Sequence, residues 1–182
     1  MTDSLSSAAQ VVGFWREAGA ALWYAKNAEF DSRCRAACLD LHWEVAARRH
    51  DDWLGDPVGA LALALLCDQI PRNVFRGTAH MFATDPLARF YARRALAAEF
   101  VSAVEPEMRV FFLLPLEHSE HLADQERSVA LHRLWAPANQ RYADVHCDIV
   151  RRFGRFPHRN AALGRETTPE EAAFLAEGGF SG

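Results

Sequence analysis

Apolar residues recur along this chain at three- and four-residue spacing, and no stretch alternates with the period of two that a half-buried strand requires. The pattern predicts an all-α fold. A first helix runs from about Ser7 to Gly19. A second opens on Asp31 as its cap and carries Cys38, Leu41 and Val45 toward Arg49. Asp56-Pro57 and Asp85-Pro86 each set a capping carboxylate before a proline at the first helical position, where the missing N–H is no loss. The helix after Pro57 is apolar almost all round, so it belongs in the middle of the fold with other helices over it. Pro71 disfavours helical geometry at Ile70 and is expected to end it. Later helices cover about Glu105 to Leu114, His121 to Trp135 and Pro137 to Phe153. Thr168-Pro169-Glu170-Glu171 reads as a capping box opening a short last one. In the helix ending at Phe153, the stripe Tyr142, Val145, Ile149, Val150 and Phe153 is the expected core face, with His146 beside it as a hydrogen-bonded residue rather than a ligand. Some seven or eight helices with short connections favour antiparallel neighbours, hence stacked helix hairpins.

Composition narrows this further. A length of 182 residues and 50% hydrophobic content suit one helical domain over residues 1–182, large enough to bury about 70% of the surface its unfolded form exposes. The longest apolar run, Val58 to Cys67, is about half of a bilayer span, and Met1 to Gln10 has neither the basic start nor the apolar stretch of a signal peptide. The expected place is the cytoplasm, with no membrane partner. A net charge of -4 and a pI near 6.1 speak against coating nucleic acid through the overall field, so any basic site must be local. Cys34 and Cys38 lie one turn apart, Cys67 and Cys147 stand alone, and none forms the paired pattern of a zinc site; reduced, buried thiols are expected. Trp15, Trp23, Trp43, Trp53 and Trp135 read as core or cavity wall, and no residue pattern implies a cofactor.

Three polar segments interrupt the helical pattern, and buried charge of this kind must either pair internally or await a ligand. The first, from Asp68 to Arg76, holds Asp68, Gln69, Arg72, Asn73 and Arg76. The second holds Glu117, His118, Glu120 and His121, with carboxylates and imidazoles at helix-face spacings. That is a fragment of a metal site, but both the zinc-protease helix motif and the paired Glu-x-x-His set of di-iron bundles are missing, so no metal is assigned. The third runs from Arg151 to Arg165 and holds Arg152, Arg155, Phe156, His158, Arg159, Asn160 and Arg165. Of the 20 basic residues in the chain only Lys26 is a lysine. Codon bias accounts for that as readily as does a need for guanidinium forks that grip anionic oxygens two at a time.

The runs DQIPRNVFRGTAHMFATD from Asp68, FFLLPLEHSEHLADQERSV from Phe111 and RFGRFPHRNAALGRETTPEE from Arg152 resemble the signature blocks of the bacterial domain-of-unknown-function family numbered 924. The resemblance runs from the Trp15 region to Phe180, in the family's order. It implies stacked antiparallel helices of tetratricopeptide-like kind and no particular reaction. His121 stands where the family has an acidic residue, which counts against a metal role there.

Three readings follow. In the first, the segments line one pocket for a small anionic ligand, a phosphate or carboxylate. Arg72, Arg76, Arg155, Arg159 and Arg165 are donors, Asn73 and Asn160 orient the ligand, and Glu117 and Glu120 hold the arginines. In the second, the same pocket is an enzyme with Glu117, His118 or His158 as general acid or base. In the third, the helices are a scaffold for a protein or peptide, with the charges sealed inside as a structural network. The basic aromatic loop could also stack on single-stranded nucleic acid, against which the acidic net charge argues.

Overall fold

The computed structural model describes residues 4–180. Among these, nine α-helices alternate with short 3-10 turns and there is no strand: α1 (Ala8–Ala18), α2 (Ala20–Trp23), α3 (Ala28–Ala46), α4 (Pro57–Val74), α5 (Asp85–Ala97), α6 (Val110–Glu117), α7 (Leu122–Trp135), α8 (Gln140–Phe153) and α9 (Pro169–Ala176). No helix among the described residues is long and apolar enough to cross a membrane.

Helix α4 is the axis of the molecule. Every residue from Gly59 to Pro71 is buried, as the all-round apolar sequence demands, and α1, α3, α5 and α6 all pack on it. Each helix from α3 to α7 also packs on its successor. The main core joins α4 to Trp15, Phe30, Tyr91, Phe111 and Phe112, and a smaller cluster of Ile149, Val150 and Phe156 lies under α8 beside Phe174 and Phe180. The start of α4 is fixed as expected: Asp56 accepts from the N–H groups of Val58 and Gly59, with Pro57 in the first turn. Thr168 and Glu171 form the expected capping box at α9.

Other boundaries differ, each for a visible reason. Asn27, not Asp31, caps α3, through a 2.9 Å bond from the Phe30 N–H; Asp31 lies a turn further in and turns to Arg76. The expected helix from Glu105 is a 3-10 turn, Pro106–Met108, before α6 begins. On α8 the buried face is Ala143, His146, Cys147, Ile149 and Val150, while Tyr142 and Val145 are exposed. Of the tryptophans, Trp43 is exposed rather than core.

The largest difference is Pro71. It does not end α4, which continues to Val74 with the proline inside. A proline at that position deprives the carbonyl of Cys67 of its helical donor. The Thr84 hydroxyl takes that place, donating to the Cys67 oxygen at 2.6 Å. The helix therefore survives its proline because the start of α5 supplies the missing bond, and Arg72 and Asn73 leave a regular helix rather than a loop. Replacing Thr84 by Val should strand that buried oxygen and cost about 1–3 kcal/mol in urea unfolding. In a Pro71→Ala background, where an N–H returns, the same change should cost less than half as much. Equal costs in both backgrounds would contradict this account of the helix.

Candidate functional site

Where the C-terminal end of α4 meets the ends of α2 and α6, the start of α8 and the turn at Pro157–Arg159, the chain encloses a cavity of about 670 Å³. That lies within the range of small-molecule sites. Its lining includes the apolar or aromatic Trp23, Tyr24, Met81, Phe82, Leu114, Tyr142 and Phe180. Interleaved with them are the polar Lys26, Gln69, Arg72, Asn73, Arg76, Glu117, His118, His146, His158 and Arg159, with Phe82 against Arg159 and Phe180 against His146.

A single hydrogen-bonded chain organises the polar groups. Asp68, only 1% exposed, sits at its centre. One carboxylate oxygen faces His118 Nδ1 at 2.8 Å and Arg72 Nη1 at 3.2 Å, and the other accepts from Gln69 Nε2 at 2.6 Å. Arg72 then grips Asp85 with both ends of its fork, at 2.9 and 3.1 Å, and donates to the Asp68 carbonyl at 2.6 Å. The same Asp85 oxygen lies 3.4 Å from Arg159 Nη1. His118, Asp68, Arg72, Asp85 and Arg159 thus form one row of alternating donors and acceptors. Burial by itself would raise the Asp68 pKa, but the Arg72 charge and then His118 hold it well below the usual carboxylate range.

Arg159 ends the row under-satisfied. The residue is 6% exposed, its Nε has no hydrogen-bond partner, and its one carboxylate contact is the long one to Asp85. The guanidinium is held instead between two aromatic faces, 4.6 Å from the Phe82 ring centre and 4.5 Å from that of Phe156. Burial, and then the neighbouring Arg72 charge, pull its pKa down to about 10, so it remains a cation at neutral pH.

Among the described residues Glu117 is the only carboxyl on the cavity wall, at 3% exposure. Burial and then the Asp68 charge push its pKa up to about 8. It is therefore a neutral acid at pH 7. Its Oε2 lies 3.2 Å from His132 Nε2, and His132 Nδ1 lies 2.9 Å from the Ser128 carbonyl. The Nδ1 proton belongs to that carbonyl, which leaves His132 Nε2 as the acceptor for the Glu117 proton. His146 and His158 are neutral too: burial and then the effect of His118 bring His146 to about 3, while burial and then Arg159 bring His158 to about 4.

The three polar segments contribute unequally. Asp68, Gln69, Arg72, Asn73 and Arg76 come together at the end of α4, with Arg76 committed to Asp31 at 2.7 and 2.8 Å and to Asn73 at 3.2 Å. From the second segment Glu117 and His118 reach the cavity. The helix ends at Glu117 and a new one starts after His121, so the helix-face spacing across these residues is not realised, and His121 is exposed. Glu120 faces away from the cavity lining; it grips Arg165 at 2.7 and 3.0 Å and accepts the Phe156 N–H at 2.8 Å. In the third segment His158, Arg159 and Ala162 line the cavity. Arg155 is committed to Glu171, and Asn160 is fully buried between Glu171 and Arg165. These residues latch the loop that presents His158 and Arg159. Among the described residues no group of three or more His, Cys, Asp or Glu side chains is placed to hold a metal ion.

Sequence reasoning missed Asp85 as a site residue because Asp-Pro reads as a cap. In the structure Thr84 takes the cap position, and the Asp85 carboxylate is free to join two arginines. Phe82 and Met81 gave no signal beyond lying in the same block, and Trp23, Tyr24, Tyr142 and Phe180 none beyond being aromatic. Lys26, exposed and without an ion pair among the described residues, stands at the rim.

The chain belongs to the family of bacterial proteins of unknown function DUF924, whose model matches residues 11–179. A solved structure from Agrobacterium tumefaciens, the protein of unknown function ATU0120, is 49% identical over 93% of this chain and 97% of its own, with a TM-score of 0.91. No curated protein matches the chain.

The Glu117 assignment has a pH signature. The carboxyl ionises near pH 4.5 when unfolded and near 8 when folded, so the unfolded state loses its proton first and wild-type stability falls as pH rises between those values. Glu117→Gln keeps a neutral donor beside His132 and lacks the proton release. Its stability relative to wild type should be unchanged near pH 4 and should climb by a few kcal/mol toward pH 8, at about 1.4 kcal/mol per pKa unit. Denaturant unfolding across that range measures it, and a flat difference would show that Glu117 is ionised in the fold.

Proposed function

We propose that the protein binds a small organic anion, a carboxylate or phosphate joined to an apolar or aromatic body, in the cavity at the end of α4. The observation that carries this is Arg159: a buried cation on the cavity wall with an unpartnered Nε. A buried, incompletely paired charge is unfavourable, and an anion brought against the guanidinium would offset part of that. The surroundings favour the same sign of charge. Lys26, Arg72, Arg76 and Arg159 line the space, the one lining carboxyl is held neutral, and Asp68 and Asp85 stand behind the arginines rather than in front of them. The aromatic residues of the lining give the rest of the ligand an apolar surface, in the usual manner of sites where a few polar groups orient a largely apolar contact.

A carboxylate would lie against the Arg159 guanidinium and within the field of Lys26, while Gln69 and Asn73 are amides placed to read its neighbouring polar atoms. Arg72 acts as a positioning residue in this reading, since its fork is already occupied by two aspartates. The four cysteines are all free and buried, which supports a reducing compartment such as the cytoplasm as the place of work.

Arg159→Met is the direct test, because it removes the cation, keeps much of the stem between Phe82 and Phe156, and leaves Asp85 paired with Arg72. Benzoate and phenyl phosphate should bind wild type in isothermal titration and bind the variant at least ~10-fold more weakly, the loss of one charge-assisted hydrogen bond. Without ligand the variant should be as stable as wild type or more so, since a buried, incompletely paired charge has gone. Arg94→Met, on the exposed face of α5 and outside the lining, should leave the affinity unchanged. Equal affinity in wild type and Arg159→Met would overturn the reading.

A further inference from the structure

The row that ends in Arg159 at one side of the cavity ends in His118 at the other, and the two ends are built alike. Each is a buried or nearly buried group tethered to an aspartate, with one nitrogen left over. The Asp68 carboxylate can only accept, so His118 Nδ1 carries the proton at their 2.8 Å contact, and the lone pair resides on Nε2. That Nε2 has no hydrogen-bond partner among the described residues, and His118 lines the cavity. The other buried histidines are arranged differently. His42, His132 and His146 each place Nδ1 against a main-chain carbonyl, of Leu66, Ser128 and Tyr142 respectively. The carboxyl beside His132 and His146, at 3.2 and 3.4 Å, is Glu117, held neutral, whereas His118 is oriented by the ionised Asp68, itself fixed by Gln69 and Arg72. A carboxylate that sets the tautomer and stabilises the imidazolium is the arrangement that makes an imidazole an effective general base.

We infer that the cavity hydrolyses the anion it binds: His118 activates water against an ester whose far end is a carboxylate held at Arg159. This rests on the anion-binding reading of the same cavity. In the step, Nε2 takes a proton from water as the water oxygen bonds to the acyl carbon. The bond from that carbon to the alkoxy or aryloxy oxygen breaks, and the imidazolium returns its proton to the departing oxygen. The products are a carboxylic acid and an alcohol or phenol, and water is the only co-reactant. The substrate class is an ester carrying a carboxylate at a distance from the reacting carbonyl, with an aromatic or apolar body between them to lie against Trp23, Phe82 and Phe180.

The base is in its working form at neutral pH. Burial and then the Arg72 charge lower the His118 pKa, against the opposing pull of Asp68 and Asp85. Around it are Asp68 and Arg72 from α4, Asp85 from α5, the adjoining Glu117, His132 from α7, His146 from α8 and His158 from the turn after α8. Activity should therefore be level above pH 7 and fall as the solution is acidified through a pKa below the ordinary histidine value.

The probe is 4-acetoxybenzoate, which has a carboxylate, a ring and an ester that the carboxylate cannot reach internally. The full chain should release 4-hydroxybenzoate above the buffer rate, and phenyl acetate, lacking the carboxylate, should show a kcat/KM at least ~10-fold lower. His118→Asn keeps an N–H for Asp68 and removes the Nε2 base. It should lower kcat at least ~100-fold while the Kd for 4-hydroxybenzoate stays within about threefold. His118→Gln is a second variant with the same expectation, should the first not fold. Hydrolysis that is absent in wild type, or undiminished in both variants, or that rises on acidification, overturns the inference. If 4-hydroxybenzoate binds and the ester survives, catalysis alone has failed. If neither binding nor turnover is seen, the anion reading has failed with it.

Discussion

The whole arrangement depends on Arg72 being held between two aspartates at the buried end of α4. Asp68 is carried there by a helix with no polar face, and Asp85 by the first turn of the next helix. Neither carboxylate could remain charged in such a place alone, and losing one partner of a buried pair typically costs about 3–5 kcal/mol. One guanidinium serves both and so ties α4 to α5. What is left over at the outer edges of the two carboxylates then defines the site: His118 on one side and Arg159 on the other.

Pro71 and Thr84 make that placement possible. A proline one residue before Arg72 would ordinarily end the helix, leaving the arginine on a loop with freedom to collapse onto its aspartate. The Thr84 hydroxyl keeps the last turn regular and, because Thr84 precedes Asp85, brings the second aspartate to the first. The same short stretch repairs the helix and delivers the counter-ion. Around this centre the remaining charges are sealed: Glu120 with Arg165, Glu171 with Arg155, Asp31 with Arg76. The cavity is therefore not a surplus of positive charge in general. It is a place where Arg159 and His118 each keep an unused nitrogen, with the unpartnered His158 Nδ1 beside them and Lys26 at the rim.

Much of this was legible in the residues. The all-round apolar run after Pro57 announced the buried axis, the Asp56-Pro57 and Thr168 caps set two helix starts, and the polar segments marked which stretches would meet at the helix ends. The division of labour within those segments was not legible. Arg155, Arg159 and Arg165 look alike in sequence, and only the positions of Glu171, Glu120 and Asp85, many residues away, decide which two are latches and which one faces the cavity. Asp85 was misread because the local rule for Asp-Pro is a cap, and the tertiary demand of two buried arginines outweighed it. The amphipathic face of α8 was misplaced for a related reason: His146 takes a buried position among the cavity histidines, and Tyr142 is turned outward to the rim.

The central claim is that an organic anion sits in this cavity with its charged end on Arg159, and a crystal of the protein grown with 4-bromobenzoate tests it most directly. Anomalous scattering should place the bromine inside the cavity near Trp23, with a carboxylate oxygen within hydrogen-bond distance of the Arg159 guanidinium. A cavity free of bromine at saturating ligand, or a carboxylate seated away from Arg159, would contradict the account.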